Sequence, residues 1–206
     1  MKFVIPIEFK PFLNSVKRQC KTYGIELMLS PSKNVILTDD YKQECSGYFE
    51  EEDKVLVVAC GKPTHEWMQI LVHEFCHMEQ WKSDDRWDKW AEACGKLWSW
   101  MDGTSIMNKS QLSKVLDDMI ELEKDCEMRS VEKIKKWELP IDIDLYIRRA
   151  NCYLYSYGLM DKLKRFPTGV YDNKLLIDMM PVEFQKSYKR VPRQIEEYMV
   201  QFYAKK

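Results

Sequence analysis

Between Thr64 and Trp81 the residues Trp67, Ile70, Leu71, Phe75, Met78 and Trp81 recur at helical spacing, with His73 and His77 set four apart among them. This stretch constrains the fold more than any other, because side chains four apart on an α-helix stand on one face, a turn from each other. Pro63 and Thr64 suit the start of a helix, with Thr64 as its cap, and the pattern carries it to about Trp81. The expected helix is apolar on nearly every side (Ile70, Leu71, Val72, Phe75, Cys76, Met78), where an unpartnered imidazole would be poorly solvated. Two of the three histidines in the chain lie there, inside the run His73-Glu74-Phe75-Cys76-His77, an HExxH motif.

That spacing lets both imidazoles reach one tetrahedral ion, zinc being the expected cofactor. Glu74 sits about 100° around the helix, too far to complete the pair as an ordinary ligand but placed to take a proton from a water on the ion. The ion would bring the pKa of that water toward ~7. A third protein ligand is needed. His65 lies roughly 12 Å up the same helix and cannot supply it, and no histidine follows His77.

A downstream carboxylate is therefore expected, from a long helix over about Gln111 to Trp137 that offers Glu121, Glu123, Asp125 and Glu127. Phasing at 100° per residue puts Glu123 and Glu127 inside the stripe of Leu112, Val115, Leu116, Met119, Cys126 and Ile134, and Glu121 and Asp125 opposite. A carboxylate in an apolar stripe needs a partner, so Glu123 is the expected metal ligand and Glu127, one turn on, the acid that holds a ligand histidine by hydrogen bond. The alternative is a solvated acidic face with Lys124 and Arg129 nearby.

The rest of the chain predicts an α+β fold: a small antiparallel N-terminal sheet packed on a mainly helical domain. A helix over about Phe9 to Gly24 is followed by β-forming runs at Ile25 to Leu29, Val35 to Leu37, Gly47 to Phe49 and Val55 to Cys60. The last two should form a hairpin around the acidic turn Glu51-Glu52-Asp53-Lys54. Further helices are expected over Trp87 to Trp100, Ile143 to Leu163 and Pro192 to Tyr203. All 206 residues read as a single domain, with a sheet-rich part (1–62), metal-site helices (63–165) and a C-terminal extension (166–206).

Lys+Arg 32 against Asp+Glu 33 leaves a formal charge of -1, so no global field draws the chain to nucleic acid or an anionic membrane. The tryptophans at 87, 90, 98 and 100 lack a basic stripe and are expected to pack rather than stack on bases. Seven cysteines, an odd number without a CxxC pair, point to reduced thiols in a cytoplasmic setting. The opening residues lack a signal-peptide core, and no later run has the length of a membrane span.

Leu71-Val72-His73-Glu74-Phe75-Cys76-His77 with Trp81 resembles the active-site helix of zincin metallopeptidases, and locally that of SprT-like proteins, from which the chain departs in lacking a later histidine. The helical acids make it more similar to gluzincins, in which a glutamate completes the site and an acid one turn on supports a ligand histidine. Glu121 as ligand with Asp125 as support also fits that pattern, against the phase argument. From about Gly47 to Met160 the arrangement further resembles small uncharacterised metallopeptidases of phage and bacterial origin.

The resemblance implies a zinc-dependent hydrolase, in first place a metallopeptidase acting on a protein or peptide through a Glu74-activated, zinc-bound water. It implies that Val55 to Cys60, the strand before the motif helix, pairs with extended substrate. Oxyanion donors would come from Tyr153, Tyr155 and Tyr157, with Arg148 and Arg149 nearby, or these aromatics are core. The other readings are a non-catalytic zinc-stabilised module that binds or regulates a partner protein, and a metal-free α-rich interaction domain.

Overall fold

The structure is a computed structural model describing residues 5–37, 44–163, 165–167 and 169–203. Residues 1–4, where a leader would begin, lie outside the described part. The fold is α+β, and the chain divides into two compact units, Met1–Asp84 with Arg129–Ile141 and Asp85–Met128 with Asp142–Lys206.

The first unit starts with α1 (Lys10–Tyr23), which ends because Gly24 turns into the left-handed region at φ 69°. β1 (Glu26–Ser30) follows, then a two-stranded ribbon of β2 (Val35–Ile36) and β3 (Glu44–Cys45), then β4 (Gly47–Glu50) and β5 (Val55–Ala59). The expected hairpin is present: β4 and β5 pair antiparallel from Gly47↔Val58 to Glu50↔Val55, with Lys54 closing the acidic turn at φ 56°. The three-stranded sheet is nevertheless mixed, since β1 pairs with β5 in parallel. Connection length accounts for both pairings: a four-residue turn permits only an antiparallel neighbour, whereas residues 31–54 between β1 and β5 exceed the dozen a parallel crossover needs.

β5 is the middle strand, and its run Val55-Leu56-Val57-Val58-Ala59 is buried from the second residue on, as a two-sided core strand requires. α2 (Thr64–Ser83) packs against β4 and β5. Thr64 is its first helical residue and Pro63 holds the cap position, so the expected threonine cap is absent. Proline suits that position because it gives up no needed backbone donor. Phe12 of α1 meets Phe75 of α2 edge-on at 5.9 Å, and Trp67, Met68 and Leu71 of α2 are buried.

The second unit holds α3 (Trp87–Met101), α5 (Ile143–Tyr157), α6 (Met160–Leu163), α7 (Lys174–Met179) and α8 (Arg193–Tyr203) around Trp90, Leu97, Leu154, Leu159, Leu176 and Met199. α4 (Lys109–Lys136) belongs to this unit up to Met128 and to the first from Arg129. The expected helix from Ile143 to Leu163 is two helices that part at Gly158, where a Cβ would lie 2.6 Å from the Tyr188 carbonyl oxygen. Among the described residues no helix is long and apolar enough to cross a membrane.

Candidate metal centre

α2 brings His73 and His77 together. Their rings meet edge-on with centroids 4.6 Å apart, and the two Nε2 atoms are 3.1 Å from each other. Two ligand bonds of about 2.0–2.1 Å at a tetrahedral angle would separate the nitrogens by about 3.3–3.4 Å, so the pair is spaced for one shared ion. The other ring nitrogen of His77, Nδ1, lies 2.8 Å from Oε1 of Gln80, a side chain with no exposed surface. Residues 73, 77 and 80 share one stripe of the helix, which is why the three side chains meet.

Where α4 enters the first unit it lies along α2. Ser130 donates to Cys76 Sγ at 3.4 Å, and Arg129 holds Asp84 at 2.7 Å while Lys133 is paired with Glu79. Cys126 sits one turn before Ser130 on the same uninterrupted helix and has no exposed surface. A nitrogen from each of His73 and His77 and the Cys126 sulfur lie within 4.8 Å of one another, a His-His-Cys group able to hold a metal ion.

The carboxylates sort as the helix phase predicts. Glu123 and Glu127 are buried, at 5% and 6% exposure, while Glu121 reaches Arg86, the residue before α3, and Lys89 on it, and Asp125 reaches Arg86. The buried acids meet tyrosines of α5. The Tyr153 and Tyr157 hydroxyls donate to Glu123 Oε1 at 3.2 and 3.4 Å, and the Tyr146 hydroxyl donates to Glu127 Oε2 at 2.5 Å. Tyr157 is driven well above the ordinary tyrosine range, first by burial and then by the Glu123 charge. The group spaced for an ion is His73, His77 and Cys126, and Cys126 lies between Glu123 and Glu127 on α4.

Glu74 is 8% exposed and faces β4: a Cβ on Gly47 would lie 3.2 Å from its Cγ. The neighbouring thiol of Cys45 is raised to about 11, by burial first and the Glu74 carboxylate second. β5 cannot be the strand that receives an extended substrate, because β1 and β4 occupy both of its edges. His65 is exposed and stands apart from the pair, beside Glu66 at 3.8 Å.

Sequence reasoning passes over Cys126 and Gln80. Cys126 reads as one more apolar member of the α4 stripe, as a free cysteine usually does. Its signal is its place between Glu123 and Glu127, the stripe positions expected to hold a ligand and its support. Gln80 has a weaker signal, an amide three residues after His77 on the same stripe, a feature that Gln69 shares four residues before His73. Comparison with protein-family models, with curated proteins and with solved structures returns no match.

Proposed function

We propose that the protein is a zinc-dependent hydrolase of protein or peptide substrates, with His73, His77 and Cys126 as metal donors and Glu74 as general base. The observation that carries this reading is the approach of the two Nε2 atoms to 3.1 Å, on two half-buried rings set one turn apart on α2. Two imidazoles and a thiolate suit zinc better than magnesium or calcium, which prefer oxygen donors. Three protein donors are also the number found in catalytic zinc sites, which keep a fourth position open.

When bound, the cation supplies a Lewis acid that polarises the scissile carbonyl. Glu74 then accepts the proton of the attacking water and returns it to the leaving amine. In this reading Glu123 and Glu127 are not donors; their tyrosine partners hold them on either side of Cys126. Seven cysteines, none of them in a disulfide, support a reducing, cytoplasm-like setting.

A second reading, a zinc-stabilised module that binds or regulates a partner protein, is favoured by two observations. The Tyr153 and Tyr157 hydroxyls are engaged with Glu123, and the strand before the motif helix offers no open edge. Glu74→Gln separates the two readings when assayed on an unfolded protein substrate and a mixed peptide pool. The hydrolase reading expects turnover by the native chain and its loss in the variant, with zinc content unchanged. Turnover that survives in the variant removes Glu74 from its role, and a zinc-loaded native chain that cleaves nothing supports the second reading.

A further inference from the structure

We infer that Gln80 is the positioning residue that makes His77 a metal donor through Nε2, by holding the proton of that ring on Nδ1. The inference rests on the metal reading for its consequence, but its structural half is independent of whether an ion binds.

Gln80 follows His73 and His77 on one stripe of α2, and it is wholly buried. A buried primary amide is costly unless its hydrogen-bonding groups are satisfied, so its presence on this apolar helix calls for a local partner. Oε1 faces His77 Nδ1 at 2.8 Å. A carbonyl oxygen can only accept, so the ring must donate from Nδ1. A neutral imidazole carries one proton; with Nδ1 protonated, Nε2 is left with its lone pair. Nε2 is the atom aimed at His73, 3.1 Å from that ring's Nε2. The amide therefore does two things to one ring: it selects the tautomer whose lone pair points into the site, and it fixes the ring's rotation about its bond to the helix.

Carboxylates and backbone carbonyls commonly orient ligand histidines in this way. The amide differs in bringing no charge of its own to a donor set that already includes a thiol. Sequence phasing gives the supporting role to Glu127. That acid accepts from Tyr146 at 2.5 Å, while Gln80, on the same helix as His77, faces the ring.

The test uses the full chain and two substitutions, Gln80→Met, which keeps length without an acceptor, and Gln80→Glu, which keeps the acceptor. Only three histidines are present, so long-range proton–nitrogen spectra of the chelator-treated protein resolve each ring, with His65→Asn used to assign the exposed one. The native chain and Gln80→Glu should show His77 protonated at Nδ1, and Gln80→Met should lose that preference. Zinc affinity, measured by competition with a chromogenic chelator, should fall about 10- to 100-fold in Gln80→Met and be retained in Gln80→Glu. A native His77 protonated at Nε2, or a Gln80→Met chain that binds zinc as tightly as the native one, overturns the inference. If the native chain shows the Nδ1 proton but takes up no zinc, the orienting role of Gln80 stands and the metal reading falls. Should Gln80→Met fail to fold, the native tautomer and the zinc affinity of Gln80→Glu still decide the matter.

Discussion

Replacing Gly47 by alanine tests how tightly β4 is laid against the motif helix. The added Cβ would lie 2.7 Å from Ile70 Cγ2, 2.8 Å from the Val57 carbonyl oxygen and 3.2 Å from Glu74 Cγ. Gly47 is not among the positive-φ residues, so the backbone itself tolerates alanine and only these contacts oppose it. In open space a Gly→Ala change at a compatible position gains about 0.4–1 kcal/mol by restricting the unfolded chain. Overpacking typically costs about 1–3 kcal/mol, and here the upper half applies, because the Val57 carbonyl is ladder backbone that cannot rotate aside. The net loss is about 1–2.5 kcal/mol, or roughly 2–10 °C in Tm for a chain of this size. Urea and thermal unfolding followed by tryptophan fluorescence measure it. Gly95→Ala is the control: Gly95 lies within α3 with nothing within 4 Å of where the added methyl would sit, so it should gain about 0.5–1 kcal/mol. A Gly47→Ala chain as stable as the native one would refute the packing of β4 on Ile70 and Glu74.

Tyr146→Phe removes a donor from the buried Glu127 carboxylate and should cost about 1.5–3 kcal/mol in urea unfolding; an unchanged midpoint contradicts the bond. Burial raises Cys20 to about 11 and Cys60 and Cys152 to about 12, against an ordinary thiol value of 9.0. Because the unfolded chain ionises these thiols first, their contribution is full below pH 9 and is lost as pH rises through 11 to 12. Stability measured across that interval should decline, with a shallower decline in Cys60→Ala; a slope that Cys60→Ala leaves unaltered counts against the assignment for that thiol.

The motif helix is legible because its apolar residues and its histidines obey a single period, so local pattern and tertiary burial agree. The same holds for α4, where phase alone separates buried Glu123 and Glu127 from Glu121 and Asp125. The parallel pairing of β1 is not legible, since the β-forming run Ile25 to Leu29 looks the same whichever way its neighbour travels. The break at Gly158 leaves no mark on the apolar period, and α7 rests on an Asn173 cap over six residues, too short to show a period. Burial of Glu123 and Glu127 suggests a demand for a cation, but hydrogen bonds from Tyr146, Tyr153 and Tyr157 meet part of that demand. Periodicity says which face a residue occupies and not what stands opposite it, and for that reason tyrosines meet the acids while Cys126 joins the histidines.

Metal analysis combined with X-ray absorption at the zinc edge tests the account most directly. It predicts one zinc per chain with a single sulfur neighbour at about 2.3 Å and nitrogen or oxygen neighbours at about 2.0–2.1 Å, the sulfur shell vanishing in Cys126→Ser. A chain isolated without a transition metal, or a zinc whose shell holds no sulfur, would contradict it.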